Sequence, residues 1–138
     1  MIYAHHASAP WDSARWPNFT RAELACGLSG EYYHWPEFLD RLQAARRAIG
    51  APFRINSAHR SYLHNYRVGG APASQHLRLA MDISLHGHDR HELRMALREA
   101  GFTGFGYYNS FIHIDLGRPR FWFGAGAKSS WQSAQFSA

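Results

Sequence analysis

A chain of 138 residues, 46% hydrophobic and 15% aromatic, is long enough for one real core and too apolar for disorder. No apolar run approaches the roughly eighteen residues of a membrane span, and Cys26, the single cysteine, excludes an internal disulfide and a structural cysteine-type zinc site. The net charge of +5, its positive side nearly all arginine because Lys128 is the only lysine, favours an anionic partner: nucleic acid, acidic lipid or an anionic polymer such as a bacterial wall. The arginines are scattered, without a basic run or recognition motif, which argues against nucleic acid.

Residues 1–18 read as irregular, with Pro10 and Pro17. Met1-Ile2-Tyr3-Ala4-His5-His6 lacks the basic-then-apolar pattern of a secretory signal, so the expectation is synthesis in the cytoplasm without export by the general route. Thr20 and Glu23 form a capping box that starts a short helix. Pro36 suits a first helical turn, and Phe38, Leu42, Ala45 and Ile49 recur at helical spacing before Gly50, so a helix is predicted over 36–49. Phe53 to Ser57 reads as a strand, 59–75 as a long loop, and Leu79 to Ser84 as a second strand. Asp89 through Ala100 reads as a second helix ended by Gly101. Phe105–Tyr108, Phe111–Leu116 and Arg120–Trp122 read as short strands, with Gly117-Arg118-Pro119 as the last hairpin turn. The tail over about 125–138 is rich in Ser, Ala and Gly and reads as frayed. With no repeat and no linker, residues 1–138 are expected to form a single α+β domain, a small antiparallel sheet with helices packed on one side.

The chemistry concentrates in His76, Asp82 and His113. Two neutral imidazoles and one carboxylate leave a fourth position open, the pattern of a catalytic zinc site. Taken singly, the three read more readily as a solvated loop histidine, a buried hydrogen-bonded carboxylate and a core histidine. Asp82 is the hardest to dismiss, because a carboxylate flanked by Met81 and Ile83 needs something cationic facing it. Asp115 shares a strand face with His113. It fits three roles: orienting a ligand histidine, acting as general base, or pairing with Arg118 or Arg120. Arg60 is either a solvated arginine or a bidentate holder of a substrate carboxylate. His86, His88 and His91 read as a polar turn at a helix start.

Three stretches then resemble a known family. These are Ser74-x-His76 with Ala80-x-Asp82-Ile83, Gly101-Phe102-x-Gly104-x-Gly106-x-Tyr108, and Phe111-x-His113-x-Asp115-x-Gly117-x-x-Arg120-x-Trp122. Together they look like the zinc D-Ala-D-Ala carboxypeptidases and murein L,D-endopeptidases, with a hedgehog-like fold. Upstream, Phe19-Thr20-x-x-Glu23-Leu24-x-Cys26, Ser57-x-x-Arg60 and Asn65-x-x-Val68-Gly69-Gly70-Ala71-x-x-Ser74 are similar to the phage and prophage endolysin branch. The resemblance implies Zn2+ held by His76, Asp82 and His113, Arg60 at a substrate carboxylate, Ser74 beside the site, and peptidoglycan peptide as substrate. The chain departs from the family in two places. The family has seven residues from the histidine to the aspartate, with a glycine between. Here the interval is six and the glycine is missing, which inside a strand would reverse the facing of a side chain unless the His76 loop compensates. Ser110 stands where many relatives carry an acid as general base, so Asp115 is the nearest replacement, with His59 and His86 next.

The first expectation is therefore a zinc peptidase that cuts stem or cross-link peptides of the wall. It would be released through holin-type membrane holes or carried as a virion component. The alternative is a non-catalytic peptidoglycan-binding or structural component of a phage-like particle, in contact with other particle proteins.

Overall fold

The N-terminal segment starts to form structure at once, because Ile2–Tyr3 (β1) finds an antiparallel partner in Tyr32–Tyr33 (β2). The computed structural model describes residues 1–132. A 3-10 turn at His6–Ser8 and the four-residue helix α1 (Arg21–Leu24) lie between these strands. The α1 capping box forms as expected, with the Thr20 hydroxyl accepting from the Glu23 N–H and the Glu23 carboxylate accepting from the Thr20 N–H. Trp16 and Phe19 are buried, so residues 1–18 are tied down rather than irregular throughout.

Helix α2 spans Pro36–Ile49, with Pro36 in the first turn and Gly50 in the left-handed conformation at its end (φ 71°). Its buried face is Phe38, Leu39, Leu42 and Ala45. Strand β3 is Ile55–Ser57. Within the expected long loop the structure has a six-residue helix, α3 (Tyr62–Arg67), capped by the Ser61 hydroxyl on the His64 N–H. A 3-10 turn at Gln75–Leu77 leads to β4 (Met81–Ser84). Helix α4 (Arg90–Glu99) is capped by Asp89, whose carboxylate accepts from the His91 and Glu92 N–H groups. Strands β5 (Gly104–Tyr107), β6 (Phe111–Asp115) and β7 (Arg120–Phe123) complete the chain order.

The five-stranded sheet runs β3-β4-β6-β5-β7. Period-two alternation divides it into two faces. Met81, Ile83, Phe105, Tyr107, Ile112 and Ile114 join the core with Leu39 and Leu42 of α2 and Leu93 and Leu97 of α4. Truncating one of these buried leucines to alanine should cost about 2–5 kcal/mol. The residues between them, including Asp82, His113 and Asp115, occupy the opposite face. The α+β class with helices on one side thus holds.

Two expectations about connections change. Gly117-Arg118-Pro119 does not close a hairpin, because β7 pairs parallel with β5, and β5 separates it from β6. The tail also folds further than expected. A 3-10 turn at Lys128–Trp131 seats Trp131, 0% exposed, against Tyr107 with ring centroids 4.9 Å apart. The rest of that expected tail, 133–138, lies outside the described residues. Among the described residues no helix is long and apolar enough to cross a membrane.

Candidate metal centre

Strand register builds one row across the polar face. Ser57 of β3 pairs with Asp82 of β4, Asp82 with His113 of β6, His113 with Gly106 of β5, and Gly106 with Trp122 of β7. The next row places Asp115 against Gly104 and Gly104 against Arg120. The glycines give the row its room. A Cβ at Gly104 would collide with Asp115 and Arg120, and one at Gly106 would meet the Trp122 indole. Because Gly104 is bare, Asp115 and Arg120 join across the intervening strand through two contacts of 2.6 and 2.7 Å.

His76 reaches this face from outside the sheet, in the 3-10 turn that the Ser74 hydroxyl caps by accepting from the His76 N–H. That placement resolves the short interval to Asp82. The strand begins only at Met81, and the backbone turns sharply at Arg78 (φ −108°, ψ −110°). The shortening is absorbed outside the strand, where alternation does not apply. His76, Asp82 and His113 are all buried, and their ligand atoms lie within 4.8 Å of one another.

The two imidazoles are oriented by groups behind them. His76 Nδ1 lies 2.6 Å from the Ala58 carbonyl, which can only accept, so that nitrogen carries its hydrogen and Nε2 keeps its lone pair. His113 Nε2 lies 2.7 Å from Asp115 Oδ2, and a neutral ring that donates there has its Nδ1 lone pair free toward Asp82 and His76. Asp115 is 0% exposed. Burial opposes its ionisation, but the bonds from Arg120, His113 and the Gly117 N–H hold its carboxyl well below the usual carboxylate range.

With both rings in those tautomers, the inward atoms face one another as acceptors. Asp82 Oδ1 lies 2.9 Å from His113 Nδ1 and 3.3 Å from His76 Nε2. Three acceptors with no hydrogen between them repel unless a cation sits among them or one ring takes an extra proton. Donor separations of about 3.3 Å are what zinc bonds of about 2.0–2.1 Å give in a tetrahedron. The donor set and its spacing thus fit a zinc ion. Without one, burial disfavours charge on His113, but its bonds to Asp115 and Asp82 prevail and raise its pKa. Asp82 is likewise drawn below the usual range, burial being outweighed by its bonds to His113 and His76.

Arg60 stands at the β3 end of the row. Its Nε donates to Ser57 Oγ (3.2 Å), one terminal nitrogen to Asn65 Oδ1 (3.4 Å), and the other lies 3.7 Å from Asp82 Oδ2. Asn65 also donates to the Ala71 carbonyl, tying the loop after α3 to the site. The remaining sequence candidates lie apart from the cluster's chemistry. Both ring nitrogens of His59 face acceptors, Glu31 Oε1 and the Arg78 carbonyl. His86 is exposed, His88 contacts the Pro52 carbonyl, and His91 packs on Trp131. Ser110 is exposed in the β5–β6 turn.

The Ala58 carbonyl, which fixes the His76 ring, was invisible in the sequence because a backbone oxygen has no residue signature. Glu31 gave no signal either, since its partner His59 is 28 positions away.

A sheet with a buried two-histidine, one-carboxylate cluster on its polar face has the donor set of a zinc hydrolase. The chain belongs to the peptidase M15 family, whose model matches residues 17–115 and whose members are generally zinc-dependent. No curated protein matches the chain.

Proposed function

We propose that this protein is a zinc metallopeptidase that hydrolyses peptide bonds in bacterial peptidoglycan, in stem or cross-link peptides. The observation that supports it most is the convergence of His76 Nε2, Asp82 Oδ1 and His113 Nδ1, with the other nitrogen of each ring held by an acceptor behind it, the Ala58 carbonyl and Asp115. When bound, the ion supplies Lewis-acid polarisation of the scissile carbonyl and activation of a water molecule. Asp115, closed in by Arg120 and the Gly117 N–H, holds the His113 ring and raises its basicity. Arg60 keeps donors beyond those given to Ser57 and Asn65 and binds a substrate carboxylate. Ser74 acts through His76 by capping its turn. The net charge of +5 suits an anionic wall, and the setting we favour is phage- or prophage-type wall lysis or penetration.

One observation favours the binding-module reading. Asp115 is the acid closest in sequence to His113, and its oxygens are already engaged, while Ser110 has no carboxylate to offer. A chain that grips the wall without cutting it would need no base. The test is digestion of purified peptidoglycan by zinc-loaded protein, with products identified by mass spectrometry. Zinc binding with cleaved peptides supports the peptidase. Zinc and wall binding without cleavage supports the module.

A further inference from the structure

The cleft beside the cluster is open and one-sided in charge. A cavity of about 590 Å³ is lined by His113 and Trp122, by Ser74 and Gln75, and by Arg118 and Arg120. No acidic side chain lines it. The Arg120 charge is already matched by Asp115. Arg118 is exposed and makes no ion pair among the described residues.

The turn that carries Arg118 is fixed. The Gly117 N–H donates to Asp115 Oδ1 (2.9 Å), the Thr103 hydroxyl donates to the Gly117 carbonyl (2.6 Å), and Arg120 donates to the Arg118 carbonyl (3.2 Å). Pro119 restricts the backbone on the other side. A Cβ at Gly117 would sit 3.3 Å from Gln75 Cδ, so the turn packs directly against Gln75. The backbone from which the Arg118 guanidinium extends is thereby fixed next to β7, while Arg60 stands next to β3. Four strand spacings, about 19 Å, separate β3 from β7, a span that five or six extended residues cover.

We propose that this cavity is an anion subsite in which Arg118 binds a second substrate carboxylate. The protein then prefers peptides that carry a free acid on the Trp122 side of the scissile bond over their amidated counterparts. A guanidinium holds a carboxylate through two parallel hydrogen bonds, which an amide cannot accept in the same way. The inference rests on the peptidase reading for the placement of the scissile bond, and it names the substrate class that the site selects.

The experiment uses the full zinc-loaded chain and a synthetic stem peptide whose diamino diacid residue is either free or amidated at its side-chain carboxyl. Calorimetry should show the free acid binding the parent at least about tenfold more tightly. Arg118→Gln should bring that ratio close to one, with melting within a few degrees of the parent, and Arg118→Glu should invert it. Arg118→Lys should restore part of the preference, because the charge returns without the planar fork. In digestion of wall polymer, the Arg118→Gln loss should fall on KM rather than kcat. A parent without preference, or an Arg118→Gln variant that keeps the parental ratio, overturns the subsite. If the parent digests no polymer yet shows the preference and loses it in Arg118→Gln, the peptidase reading fails and the subsite stands.

Discussion

Two buried histidine–carboxylate arrangements lie close together in this molecule, and they are built to opposite ends. In the first, His76 and His113 each give one nitrogen outward, to the Ala58 carbonyl and to Asp115, and turn the other toward Asp82. In the second, His59 spends both nitrogens on acceptors, Glu31 and the Arg78 carbonyl, and joins the segment after β3 to the loops around it. Burial is similar, with His59 1% and His76 3% exposed. What separates a metal site from a strut is convergence: His76, Asp82 and His113 bring three ligand atoms within 4.8 Å of one another, whereas among the described residues no further ligating side chain joins His59 and Glu31 in such a group.

The most severe test removes a converging nitrogen. The parent should hold about one zinc per chain, and His113→Ala should hold none after dialysis, read by elemental analysis. Adding chelator to the parent should lower its melting temperature, because a ligand bound only to the folded state stabilises it by mass action. A parent that melts identically with and without chelator would remove the distinction between the two arrangements.

Acidity sharpens the comparison. The His113 pKa is raised in the folded, metal-free protein. Its contribution to stability is therefore complete below the unfolded value of about 6.5 and is lost as pH rises through the folded value. Asp82 and Asp115 are depressed, so their contribution is present above about pH 4 and fades as pH falls toward their folded values. Metal-free stability should accordingly peak between about pH 4 and 6.5. Zinc must displace the His113 proton, so its affinity should fall about tenfold per pH unit below the raised pKa. Calorimetric titrations at several pH values check both slopes, and a flat affinity profile would contradict the geometry.

Asp115→Asn should keep the fold and weaken zinc about 10–100-fold, the usual cost of losing the group that orients a ligand histidine. Were Asp115 instead the general base, zinc affinity would hold while the rate fell by about 10²–10⁴. Arg60→Lys should leave zinc in place and melting within a few degrees, and lower kcat/KM by about tenfold or more, since a point charge does not replace the planar fork. An equal loss of stability would make Arg60 structural.

Much of this was legible in the sequence, for identifiable reasons. Helices α2 and α4 carry helical periodicity bounded by Pro36, Gly50 and Asp89, and local signals suffice there. Asp82 stood out as a carboxylate between apolar residues. The partner of β7 was not legible, because Gly117-Arg118-Pro119 is equally good chemistry for a hairpin and for a crossing. The choice is made at a distance, by Gly104 leaving space for Asp115 to meet Arg120. Helix α3 gave no pattern because Tyr62, Leu63 and Tyr66 are exposed and its anchors are the Ser61 cap and Asn65. The interval from His76 to Asp82 is one residue shorter than the family's, and only the structure shows that the shortening falls in the 3-10 turn and the bend at Arg78, outside β4.

The smallest expected effect on zinc is also the most direct comparison. Glu31→Gln makes the same change as Asp115→Asn, a carboxylate turned to an amide beside a buried histidine. At Asp115 the carboxylate fixes which His113 nitrogen faces Asp82, so the change should be felt by the metal. At Glu31 it only ends a chain that leads through His59 to the Arg78 carbonyl. Glu31 keeps 29% of its side chain exposed, so water can replace part of what is lost, and the cost should be about 1 kcal/mol. That corresponds to a melting shift of about 2–8 °C for a domain of this size. Zinc stoichiometry should be unchanged and zinc affinity should stay within about twofold, the margin expected of sites that do not share partners. A tenfold loss of zinc on Glu31→Gln would show that the His59 strut reaches the metal centre through Ala58 and Arg60, and that the two arrangements act as one.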